Sequence, residues 1–65
     1  MVTVKKMTDL IRDKEKQTYT IMSVNNTVVD MTYNELMASY RDLYVVNMEA
    51  TFMKHSKKLV YIIHY

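Results

Sequence analysis

Apolar and polar side chains alternate over residues 44–53. Tyr44, Val46, Met48, Ala50 and Phe52 fall on one side, and Val45, Asn47, Glu49, Thr51 and Met53 on the other. A period of two over this length predicts a β-strand. The polar tetrad Lys54-His55-Ser56-Lys57 suits a four-residue hairpin loop, and Lys58 to Tyr65 reads as the returning strand. That loop sets Phe52 opposite Leu59, Ala50 opposite Tyr61, Met48 opposite Ile63 and Val46 opposite Tyr65, all on one apolar face. The other face pairs Thr51 with Val60, Glu49 with Ile62 and Asn47 with His64.

A second hairpin is expected earlier in the chain. Residues 18–31, TYTIMSVNNTVVDM, are rich in β-branched and aromatic residues. Asn25–Asn26 lies at the centre, and asparagine tolerates the positive φ of tight turns. A two-residue turn there sets Val24 opposite Thr27, Met22 opposite Val29 and Thr20 opposite Met31. This face is the more apolar and is expected to meet the core. The opposite face then carries Ser23 with Val28, Ile21 with Asp30, and Tyr19 with Thr32. A slip of one residue would exchange the two faces.

Two segments read as helices. Over Thr3 to Lys16, Val4, Met7 and Leu10–Ile11 recur at helical spacing, with Thr3 placed to cap the start and Lys14 and Lys16 near the end. Thr32-Tyr33-Asn34-Glu35 matches a capping box, with Thr32 bonding forward and Glu35 bonding back. Behind it Tyr33, Leu36, Met37, Tyr40 and Leu43 form one apolar stripe, so a helix is expected to about Asp42. The order is α-β-β-α-β-β. The simplest arrangement is a small two-layer α+β domain over residues 1–65, a four-stranded antiparallel sheet with both helices on one face. The strand reaching Tyr65 is expected to lie at an edge, open to pairing with another chain.

Composition narrows the functional classes. The 65 residues include no Gly, Pro, Cys or Trp, but 7 Met and 6 Tyr. Without glycine there is no phosphate-cradling loop of the P-loop or GxGxxG kind. Without cysteine there is neither a disulfide nor a thiolate metal site, and two distant histidines make no zinc spacing. A chain this short buries only about 60% of the surface its unfolded form exposes. Oligomerisation or docking on a larger partner is therefore the expected supplement to its core. No apolar run approaches the ~20 residues of a membrane span, and the first residues carry no signal-peptide core. The absence of cysteine fits a reducing, cytoplasmic compartment.

Charge is unevenly distributed. Residues 1–17 carry a net +2, residues 18–53 a net −3 and residues 54–65 a net +3. Lys5 and Lys6, together with Lys54, Lys57 and Lys58, are the candidate phosphate contacts should nucleic acid be the ligand. His64 and Glu49 share a face of the last hairpin and form the one candidate acid–base pair. They lack a nucleophile and a third orienting group, so no enzyme activity and no cofactor is expected. The more telling signal is apolar. Ile21, Val28, Val45, Val60 and Ile62 fall on the outer sheet face, with His64 beside them. Such a patch marks a contact surface for a protein partner or a second copy.

In size and in its use of Lys, Asn, Tyr, Ile and Met, the chain resembles small accessory proteins of phages and mobile elements of AT-rich bacterial genomes. That likeness implies docking on a host protein to inhibit or redirect it. The hairpin–helix–hairpin order from Thr18 to Tyr65 is also similar to swapped-hairpin transition-state regulators and antitoxins. Asn25–Asn26 stands where that family has a Gly-rich turn, and Thr32 where its helix opens with Pro. This second likeness implies a dimeric DNA-binding regulator. The leading expectation is a non-enzymatic protein-binding accessory or regulatory protein.

Overall fold

The computed structural model describes residues 1–65. Its elements are α1 (Val4–Thr8), a 3-10 turn (Lys14–Lys16), β1 (Thr18–Met22), β2 (Thr27–Met31), α2 (Tyr33–Tyr40), β3 (Asn47–Met53) and β4 (Lys58–His64). The fold is α+β, with two helices against a four-stranded mixed sheet.

The first helix is much shorter than the apolar spacing suggests. Thr3 caps it as expected, accepting a hydrogen bond from the Lys6 N–H at 3.2 Å. Its end is set by Thr8, whose hydroxyl donates to the Val4 carbonyl at 2.9 Å and to the Lys5 carbonyl at 3.1 Å. Such back-bonding competes with continued helix. Asp13, at φ 54°, then turns the chain left-handed before the 3-10 turn. Leu10 is thrown out to solvent at 82% exposure, while Ile11 stays in the core.

The second helix follows its sequence signature. Thr32 accepts from the Glu35 N–H at 3.2 Å, and the Glu35 carboxylate accepts from the Thr32 N–H at 2.9 Å. Leu36 is fully buried, and Tyr33, Met37, Tyr40 and Leu43 pack around the core.

The sheet runs β2-β1-β4-β3. β1 pairs antiparallel with β2, and β3 antiparallel with β4, but β1 and β4 are parallel, with Thr18 opposite Val60 and Met22 opposite His64. The all-antiparallel expectation is therefore corrected. The connection through α2 carries the chain from one edge of the sheet to the other, so β2 and β3 run the same way. The strands between them, β1 and β4, must then run parallel. The strand approaching Tyr65 consequently lies inside the sheet, not at an edge; the edges are β2 and β3.

The last hairpin has the expected register throughout, from Asn47 opposite His64 to Met53 opposite Lys58. Its strand starts later than the alternation implied. Tyr44 forms an isolated bridge with Thr3, Val46 donates its N–H to the His64 carbonyl, and Val45 turns its side chain to the core. The first hairpin departs more. Its loop is four residues, Ser23 to Asn26, closed by a Ser23 N–H to Asn26 carbonyl bond of 2.7 Å. Ile21 faces Val28 and Met22 faces Thr27, and the register then shifts so that Tyr19 faces Met31. Asp30, at φ 56°, occupies this bulge. Tyr19 and Ile21 are thereby fully buried beneath the helices with Ile63, Leu36 and Val4, and Met22 and Val29 lie on the other side.

Three left-handed residues, Asp13, Asp30 and Lys57, do the turning that glycine usually does. Asn25 and Asn26 take no positive φ.

Candidate functional site: the uncovered sheet face

Alternation along each strand sends the side chains between the core residues to the opposite face, away from α1 and α2. On β1 these are Thr18, Thr20 and Met22; on β4, Val60 and Ile62; on β3, Thr51 and Met53. They floor a groove of about 980 Å³. Residues 15–17 and the β3–β4 loop, through His55 and Ser56, contribute to its wall. Thr20 and Val60 are buried although no helix covers them, because each sits mid-sheet between neighbouring strands. Glu15 and Asp30 supply acid to the rim, and Lys16 and Lys58 supply base.

The residues expected to bind a partner divide between the two faces. Val60 and Ile62 lie on the uncovered face, with His64 opposite Asn47 and Met22 on the same side. Ile21, expected there, is instead fully buried under the helices, and Val28 packs half-buried against the same core. Val45 also packs on the core. The reason for the first two is the register and loop length of the first hairpin, which exchange its faces. Met22, Thr20, Val29 and Met53 take their places in the groove. Their alternation with Tyr19 and Ile21 is present in the sequence, but it does not say which set is covered.

His64 and Glu49 do meet, with Nε2 and Oε2 3.2 Å apart at the surface. No other side chain is hydrogen-bonded to either, so nothing orients the imidazole or offers a nucleophile. No group of three or more His, Cys, Asp or Glu converges as a metal site.

The lysines do not form one footprint. Lys5 and Lys6 are on α1, whose start is hydrogen-bonded to the chain just before β3: Val4 N–H to the Leu43 carbonyl and Lys5 N–H to the Arg41 carbonyl. Lys54, Lys57 and Lys58 lie at the other end of β3, a distance of roughly 20 Å along a seven-residue strand. Lys5 is also occupied, at 3.0 Å from Asp9, as is Lys14 at 2.7 Å. Hydrogen bonds from Lys14 and then Lys5 hold the Asp9 carboxyl below its ordinary range, and the Asp9 bond raises Lys14.

The turn of the first hairpin is tied down by Tyr65, whose hydroxyl accepts from the Asn26 side-chain amide at 3.1 Å and whose ring lies 6.3 Å from Tyr40. Hydrogen bonds from Asn26 and Ser23 lower the Tyr65 hydroxyl's pKa. Tyr65 thereby links the β1–β2 loop to α2.

No family model matches the chain, and no curated protein or solved structure is significantly similar to it. No helix is long and apolar enough to cross a membrane.

Proposed function

We propose that this is a non-enzymatic accessory protein that acts by docking on another protein, and that its uncovered sheet face receives an amphipathic helix of that partner. One observation carries the reading. Both helices cover one face of the sheet, while the other keeps a groove floored by Met22, Val60, Ile62 and Met53. An α-helix with its side chains is about 10–12 Å across, so a volume near 980 Å³ accommodates roughly two turns. Methionine in the floor suits a partner whose contacts must be accommodated by side-chain adjustment. Acid and base on the rim match the polar flanks of such a helix and set its direction.

The test is capture from a host lysate with the wild-type chain and with Ile62→Lys, followed by shift mapping by NMR with the captured partner's helix. The reading expects a partner retained by wild type and lost from Ile62→Lys, with shifts concentrated at Met22, Val60 and Met53. Capture unaffected by Ile62→Lys, or shifts confined to α1 and α2, overturns it. A dimeric DNA-binding role has less support, because the lysines lie at two ends of the fold and Lys5 is engaged by Asp9.

A further inference from the structure

The two edges of the sheet are built differently. β2 is five residues long and broken by a bulge, with Asp30 in the left-handed region. Bulges of this kind blunt an edge against further pairing. β3 is seven residues long, keeps one register from Asn47 to Met53, and carries a single charge, Glu49. It has no proline, no lysine and no bulge. Its outward backbone groups have no partner: every strand pairing of β3 is to β4, and no other backbone bond involves residues 47–53. Large apolar side chains are exposed on it and just before it, with Phe52 59%, Met53 44% and the preceding Val46 79% open to solvent.

We propose that β3 is a self-pairing edge. Two copies of this chain join antiparallel through it, about a two-fold axis at Ala50, into one continuous eight-stranded sheet. The sequence of β3, NMEATFM, is self-complementary in that register. Met48 comes opposite Phe52 of the second copy, on the helix side. Glu49 comes opposite Thr51, and Asn47 opposite Met53, on the uncovered side. Ala50 meets its own copy at the axis, where a small side chain lets two strands approach. Neighbouring registers are worse. Centring on Glu49 sets two carboxylates against each other, and centring on Thr51 sets Met48 against Lys54. Registers of the other parity would oppose side chains of different faces and put the two helix layers on opposite sides of the sheet. Seven paired residues supply about six to eight main-chain hydrogen bonds. The pairing is independent of what the uncovered face binds, and it places two such faces side by side on one surface.

Sedimentation of the wild-type chain tests this first, with Ala50→Lys as the disrupting variant and Ala50→Cys as the register probe. The chain has no cysteine of its own, so a single introduced thiol reports cleanly. Wild type is expected to sediment at twice the chain mass at micromolar concentration. Ala50→Lys, at an exposed position, keeps its circular dichroism and weakens association by about tenfold or more through like charge at the axis. Ala50→Cys forms a disulfide-linked dimer under mild oxidation far faster than Asn47→Cys, whose two copies lie at opposite ends of the pairing. Ile62→Lys remains dimeric, which separates this proposal from the docking of a helix on the uncovered face. A wild-type monomer at 100 micromolar, an undiminished Ala50→Lys dimer, or equal cross-linking of the two cysteine variants overturns it.

Discussion

Tyr19 and Tyr61 stack across the parallel seam of the sheet, their ring centroids 5.9 Å apart and their planes inclined by 29°. Tyr33 of α2 approaches the same Tyr19 ring at 6.3 Å, and the Tyr19 hydroxyl donates to the Lys14 carbonyl at 2.8 Å. One side chain thus joins the two hairpins, the second helix and the 3-10 turn. Its burial pushes the hydroxyl's pKa well up, so the neutral phenol is the form the fold holds. Tyr19→Phe removes only the hydrogen bond and should cost about 1 kcal/mol. Tyr19→Ala empties the site and should cost about 3–5 kcal/mol. Urea denaturation measures both, and equal costs would show that the ring packing contributes little.

Adjacent residues of β4 should respond in opposite ways to the same charge. Ile63 is fully buried under the helices and Ile62 faces the groove. Ile63→Lys places an unpaired ammonium in the core and should abolish cooperative unfolding. Ile62→Lys should leave a sigmoidal melt. Two variants that behave alike would mean that the helix layer does not distinguish the faces.

Lys57 adopts φ 54° at the end of the β3–β4 loop. A left-handed backbone costs a non-glycine residue about 1–2 kcal/mol. Lys57→Gly removes that cost but adds freedom to the unfolded chain, so a net gain of about 0.5–1 kcal/mol is expected. Lys57→Val should lose at least as much. Thermal melts of the two variants, bracketing wild type, check the sign.

Acid should loosen α2. The Thr32 backbone N–H, followed by the Thr32 hydroxyl, holds the Glu35 carboxyl below its ordinary value. A carboxyl depressed in the fold contributes stability that is complete above its unfolded pKa and lost as pH falls through the folded one. Loss should therefore begin below about pH 4.3. Asp9 is depressed for its own reason and adds a loss of the same sign. Glu35→Gln keeps an acceptor for the Thr32 N–H but cannot titrate, so its stability should fall less steeply with acid than wild type. Parallel curves would exclude the capping box as an acid-sensitive element.

Much of the fold was legible, and the failures have identifiable causes. The β3–β4 hairpin was readable because alternation, loop length and the apolar pairing of Phe52 with Leu59 and Met48 with Ile63 all agree on one register. The capping box of Thr32 and Glu35 was readable because it is a local arrangement of four residues. β1 misled because it is an inner strand with Tyr19, Thr20 and Ile21 all buried, which erases the contrast between its faces. The bulge at Asp30 then hid the register. The shortening of α1 depends on the Thr8 hydroxyl choosing a backbone acceptor, which periodicity does not encode. The parallel seam depends on where α2 carries the chain, and no short segment records that. Val60 and Ile62 line the groove as the alternation of the last hairpin implies, whereas Ile21 of the first hairpin lies under the helices instead.

The parallel seam also orders events during folding. Each hairpin closes between residues near one another in sequence, but Ile21 meets Ile63 only after the intervening hairpin loop, helix and strand have found their places. Contacts this distant are slow to form, because the entropy of loop closure comes before any gain from them. Until the seam closes, β1 and β4 each present a bare, apolar flank rich in β-branched and aromatic residues. The nascent chain therefore passes through an interval in which its two inner strands are available to any neighbour, and the speed of that one junction governs how much of it escapes aggregation.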